Sequence, residues 1–114
     1  MENYQSTLDH VFHALADPTR RSVVATLAGC QSASVTELAA PFSMGLPAFL
    51  KHLRVLEESG LIVSTKSGRV RTCSIQSQHL ADAEQWLSAR RRDVEEQLDR
   101  FTAYVESMNQ NKET

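Results

Sequence analysis

Leu80, Leu87, Val94, Phe101 and Met108 recur at intervals of seven residues, and Leu98 and Val105 fill a second row between them, with Glu84 and Arg91 in the equivalent earlier places. A seven-residue seam with a partial second row describes a helix that packs lengthwise on another helix. A chain of 114 residues supports one modest core, and its surface-to-volume ratio favours further burial against a second copy.

Upstream, the apolar residues Leu8, Val11, Phe12 and Leu15 follow helical spacing and predict a helix over 8–16. Asp17-Pro18 stops it, because the residue before proline avoids the helical region. Asp17 is also placed to cap a second helix over 18–28, with Pro18 at its first position, Val23, Val24 and Leu27 on its inner face, and Gly29 as its end. Residues 31–34 read as a polar connector, 35–40 as a short third helix capped near Ser34, and 41–45 as a turn. A fourth helix is expected over 46–59, burying Leu50, Leu53, Val55 and Leu56, with Gly60 as its stop.

After Gly60 the period changes to two. Leu61, Val63 and Thr65 alternate with Ile62 and Ser64, and Val70, Thr72, Ser74 and Gln76 alternate with Arg71, Cys73 and Ile75. The Gly-containing turn Lys66-Ser67-Gly68-Arg69 joins the two runs into a β-hairpin. The expected fold is mainly α with a β-hairpin (α+β), in the order α-α-α-α-β-β-α. Third and fourth helices joined by a short turn form a helix-turn-helix, and the hairpin makes it winged. The chain is expected to be a single domain, with a core over 8–77 and a C-terminal helix over 78–108.

The net charge of −2 conceals a pattern: residues 20–71 carry seven Lys/Arg against three acids, a balance of +4, while the segments before and after each carry −3. A basic middle between acidic ends suits a DNA-facing centre between partner-facing ends, although so few charges could also fluctuate this far. No run of apolar residues is long enough to span a membrane, and the polar start MENYQSTLDH lacks the pattern of a signal peptide, which points to the cytoplasm. Cys30 and Cys73 form no CxxC pair, so a disulfide scaffold or a zinc knuckle is disfavoured. No nucleophile–base–acid set, glycine-rich phosphate loop or HExxH segment occurs, so an enzyme is not expected.

The major groove of B-DNA, ~12 Å wide, admits one helix. The N-terminal half of the fourth helix is therefore the candidate reader, with Leu46, Pro47, Ala48, Lys51 and His52 nearest DNA and Arg54 toward the backbone. Lys51 can reach a phosphate or a guanine edge. Lys51 and Arg54 could also be a solvated helix face, and His52 could cap the edge of the core. Phe49 could touch a thymine methyl, but burial against the third helix is favoured. Arg69 at the hairpin turn suits a narrow minor groove or a phosphate pair. Arg71 is a second wing candidate or simply an exposed strand residue. Arg20 and Arg21 open the second helix; one could touch phosphate, with Asp17 or a partner-chain acid as an equally good destination.

The stretches LADPTRRSVVATL, SVTELAAPFSM, LPAFLKHLRVLEESGLI and SGRVRTCSI resemble the ArsR-type winged-helix repressors, and Trp86-Leu87, Glu95 and Leu98-Asp99-Arg100 resemble one branch of them. The likeness covers about residues 8–106. It implies a homodimer that binds double-stranded operator DNA and usually represses. It also implies an interface built from the first and last helices, here Leu8, Val11, Phe12, Leu87, Val94, Leu98, Phe101 and Val105.

Gly45 and Leu50 stand where relatives often have small hydroxyl residues, and Phe49 where they often have a β-branched one. The family's cysteine-containing box is missing from Val35-Thr36-Glu37-Leu38-Ala39, and beyond His79 there is no histidine for its last-helix zinc site. No metal and no cofactor is therefore expected. His10 and His13 could ligate a metal if a carboxylate joined them, but polar interface groups are the simpler reading. Cys30 and Cys73 are the candidates for a thiol sensor, with burial and inertness the simpler reading for both. The effector is not readable. The alternative to a DNA-binding regulator is a winged-helix module that binds only protein; the basic middle segment argues against it.

Overall fold

A computed structural model describes residues 4–113. The elements are α1 (Tyr4–Leu15), α2 (Pro18–Cys30), β1 (Ser32–Ser34), α3 (Val35–Ala39), α4 (Leu46–Glu58), β2 (Ile62–Ser67), β3 (Val70–Ile75) and α5 (Ser77–Glu113). Residues up to Ala83 form one compact unit, and those from Glu84 onward form a second.

The α1–α2 corner follows the Asp17-Pro18 signal. Asp17 is extended, and its carboxylate accepts the Arg20 backbone N–H at 3.1 Å, satisfying a donor that the helix itself leaves open. Gly29 does not end α2. It stays helical, and Gln31 takes a positive φ instead, at +71°, donating its N–H to Leu27 O at 2.7 Å.

The expected connector over 31–34 contains a strand. Ser32, Ala33 and Ser34 pair antiparallel with Ser74, Cys73 and Thr72, so the sheet has three strands in the order β1-β3-β2. Ser-Ala-Ser is too short and too small-sided to declare a strand by its period; β1 is defined by the hydrogen bonds it gives to an otherwise open edge of β3. Ser34 ends the strand and caps α3 in a reciprocal box, accepting the Glu37 N–H at 3.1 Å while Glu37 Oε1 accepts the Ser34 N–H at 3.2 Å.

The end of α4 has the expected glycine. Gly60 sits at φ +81° and donates to Glu57 O at 3.0 Å, while Leu61 donates to Leu56 O at 3.2 Å. These are the two bonds of a Schellman cap, and both leucines are fully buried. His79, in the first turn of α5, places Nδ1 3.0 Å from Ser59 O, with its ring in the space a side chain on Gly60 would need. In the hairpin Ser67 faces Val70, which tightens the turn to Gly68 and Arg69; Gly68 takes φ +62°, as a two-residue turn with glycine first requires.

The core lies in the first unit. Leu8, Val11, Ala14, Val23, Val24, Leu27, Leu38, Phe49, Leu53, Leu56, Leu61, Ile62 and Cys73 are buried, joined by Ala83. On α4, Phe49 takes the inward place expected for Leu50, and both Leu50 and Val55 are only half-buried. In the second unit Leu87, Val94, Leu98, Phe101, Tyr104 and Met108 are all exposed. Arg90 bonds Asp93 at 3.1 Å and lies 5.1 Å from the Trp86 ring centroid, a local staple on that helix. Among the described residues no helix is long and apolar enough to cross a membrane.

Candidate nucleic-acid interface

The turn after α3 braces α4. Phe42 from the turn lies 5.6 Å, centroid to centroid, from Phe49, and Phe49 is buried, so it belongs to the brace and not to a base-reading surface. Gly45 caps α4 without a side-chain bond, and the first two turns of α4 leave Leu46, Pro47, Ala48 and Lys51 exposed, with Arg54 exposed beyond them.

Between this helix and the hairpin lies a groove of about 700 Å³, lined among others by Thr36, Leu46, Leu50, Lys66, Arg69 and Arg71. The helix start and the hairpin tip thus border one concave, basic surface. That juxtaposition cannot be read from spacing, since Leu46 and Arg69 are far apart in the chain.

Four residues singled out as possible contacts, His52, Arg20, Arg21 and Arg71, bond within the fold. His52 turns away from the exposed face of α4: its Nδ1 lies 3.1 Å from Arg20 Nη1 and 3.7 Å from Asp17 Oδ2. Arg20 also donates to Ala14 O at 2.8 Å and His13 O at 3.2 Å, and Arg21 donates to Leu15 O at 2.8 Å. The two arginines therefore satisfy the open carbonyls at the negative end of α1, a destination the sequence did not suggest. Asp17 completes the corner; the Arg20 backbone N–H holds its carboxyl below the usual carboxylate range, against partial desolvation and with help from the His52 and Arg20 charges.

Arg71 is the fourth. Its Nη2 reaches Glu57 Oε1 at 2.8 Å and Oε2 at 3.1 Å, and its Nε donates to Ser64 Oγ at 3.1 Å. Ser64 Oγ in turn donates to Glu57 Oε1 at 2.7 Å. Glu57 and Ser64 carry no motif that marks them, because each finds its partner across the fold.

The first-helix residues expected at a dimer interface divide. Leu8 and Val11 are 6% and 0% exposed and fill their own unit's core, so they are unavailable to a second chain; Phe12, at 36%, is accessible. All the last-helix residues, Leu87, Val94, Leu98, Phe101 and Val105, are exposed.

The thiols also divide. Cys73 is buried as expected, and desolvation pushes its thiol up, reinforced by Glu57 and opposed by Arg71. Cys30 is exposed, contrary to expectation, because α2 runs on through Gly29 and carries it to the helix end, where its thiol donates to Ser32 O at 3.3 Å. His10 and His13 line a hollow of about 330 Å³ with Val55, Glu58 and Ser59, but among the described residues no group of three or more His, Cys, Asp or Glu is placed to hold a metal ion.

Residues 15–65 match a family described as a helix-turn-helix domain. A crystal structure of an ArsR family transcriptional regulator is 46% identical, with a TM-score of 0.76, covering 83% of this chain and 97% of that one. An ArsR-like transcriptional regulator from Rhodococcus sp. RHA1 is 29% identical at a TM-score of 0.67, covering 82% and 88% of the two chains. The transcriptional repressor SdpR of Bacillus subtilis (strain 168) is 28% identical over 80 residues, which span 70% of this chain and 88% of SdpR.

Proposed function

As a member of the ArsR family of transcriptional regulators, the chain binds DNA, and we propose that it does so as a homodimeric repressor on a palindromic operator, with α4 in the major groove and the hairpin on the flanking backbone or minor groove. The observation that carries this reading is the shared basic groove, with the exposed start of α4 on one side and Lys66 and Arg69 on the other. In this reading Leu46, Pro47, Ala48 and Lys51 face base edges, while Arg54 and Arg69 face phosphates or the minor groove.

A DNA-binding core over 8–77 and a dimerising helix over 78–108 complete the arrangement. The exposed row of Leu87, Val94, Leu98 and Phe101 supports pairing with a second copy, because a helix with a seven-residue apolar seam gains by burying it. A two-fold dimer calls for half-sites about 34 Å apart, or a multiple of that.

Binding-site selection with the purified chain supplies the operator, and a gel-shift titration tests the contacts. Lys51→Ala and Arg69→Ala each weaken operator binding about five- to fiftyfold with unchanged thermal melting, and wild-type affinity falls steeply with salt as phosphate contacts release counterions. Unaltered affinity in both variants, with a flat salt response, would instead favour a module that binds only protein.

A further inference from the structure

An acid beside a DNA-facing groove is electrostatically adverse unless it has another task. Glu57 is such an acid. It lies in the last turn of α4, Ser64 on β2 and Arg71 on β3, and four hydrogen bonds close these three side chains into one cluster. Because Ser64 pairs with Cys73, Arg71 is its diagonal neighbour on the same sheet face, the face on which Ile62 and Cys73 are buried. The guanidinium of Arg71 thus points from the sheet toward α4, and Arg69 lies in the hairpin turn just before the same strand.

Nη2 of Arg71 touches both oxygens of Glu57 while its Nε holds Ser64 Oγ, so two of its nitrogens fix the guanidinium in direction as well as distance. For Arg71 to take a phosphate it would have to leave Glu57, and the stranded carboxylate would then face the polyanion. The pair is also partly exposed, at 44% and 26% of the side chains, where an ion pair adds little to global stability. Its effect falls on the angle between hairpin and helix.

We propose that Glu57 and Arg71 are positioning residues for DNA binding, a clamp that sets the hairpin against α4 so that Arg69 and Lys51 meet the same duplex, and that Arg71 makes no DNA contact itself. The proposal rests on the DNA-contact reading above.

The test uses the full chain and its selected operator, with dissociation constants measured by fluorescence anisotropy over a salt series and thermal melts confirming that each variant folds. Glu57→Ala loses affinity about three- to thirtyfold although it removes a negative charge beside DNA, and Arg71→Gln loses a similar amount. The double variant is no worse than either single one. Arg71→Lys keeps the charge but loses the fork, and behaves like Arg71→Gln.

The slope of log affinity against log salt stays at the wild-type value in Arg71→Gln, whereas Arg69→Ala lowers its magnitude by about 0.9, one phosphate contact. Tighter binding by Glu57→Ala, or a slope lowered by about 0.9 in Arg71→Gln with binding retained by Arg71→Lys, would overturn the clamp and make Arg71 a direct contact. A wild-type chain that selects no duplex overturns the DNA-contact reading, and the clamp with it.

Discussion

Leu27 and Leu98 are the same residue at equivalent inward places of two helical patterns, yet one is 0% exposed and the other 60%. The first unit closes its apolar faces on one another: α1, α2, α3, α4 and the sheet each contribute buried side chains to one core. The second unit, from Glu84 onward, carries an equally regular apolar row and leaves it in water. A hydrophobic period therefore states which face asks for burial and is silent about what supplies it.

Three experiments sharpen that contrast or break it. Leu27→Ala has the largest effect, because it removes a fully buried side chain from a packed core; it lowers the unfolding free energy by about 2–5 kcal/mol, read from urea denaturation. A loss below about 0.5 kcal/mol, the level of a surface change, would show that the core is not closed there. Leu98→Asp acts on the other region. It turns the proposed dimer into a monomer in sedimentation velocity while Cys73 stays shielded from thiol reagents, since the first unit keeps its own core; a variant that still sediments as a dimer removes this row from the interface.

The smallest effect is the pH-dependent one, at the corner between α1 and α2. The Asp17 carboxyl is held below its ordinary value chiefly by the Arg20 backbone N–H. A depressed carboxyl contributes stability that is fully present above its unfolded value, about 3.9, and is lost as pH falls through the lower folded value. The difference in thermal midpoint between wild type and Asp17→Ala is therefore constant at neutral pH and shrinks below about pH 4. A difference that instead grew as pH fell would show that the carboxylate cap is not what Asp17 supplies.

Much of this architecture is legible in the residues themselves. Asp17-Pro18, Gly60 and Gly68 mark their turns because each supplies a local backbone need, and the change from helical to two-residue period at Leu61 marks the hairpin. Leu61 itself belongs to the helix cap and not to the strand, so Leu61 and Ile62 are buried side by side where strict alternation would expose one of them. What was not legible depends on distant partners. β1 is the short run Ser-Ala-Ser, which becomes a strand because β3 has bonds to share. His52 and Arg20 lie 32 residues apart and Arg71 and Glu57 lie 14 apart, so no spacing rule joins them. The proposed interface shows the same divide: the exposed start of α4 follows from its position in the motif, whereas the task of each arginine depends on which oxygen lies within reach.

Gly29 and Gly60 look alike in the sequence, each trailing a helix, but their futures under mutation differ. A methyl group on Gly29 would meet nothing within 4 Å, and its helical backbone accepts any ordinary side chain. At Gly60 a methyl group would run into the ring of His79, and the left-handed backbone objects as well. Genetic drift can pass freely through the first position. At the second it must displace the start of α5 before it can change one atom, so the joint between the helix proposed to read DNA and the helix that follows the sheet is closed to gradual revision.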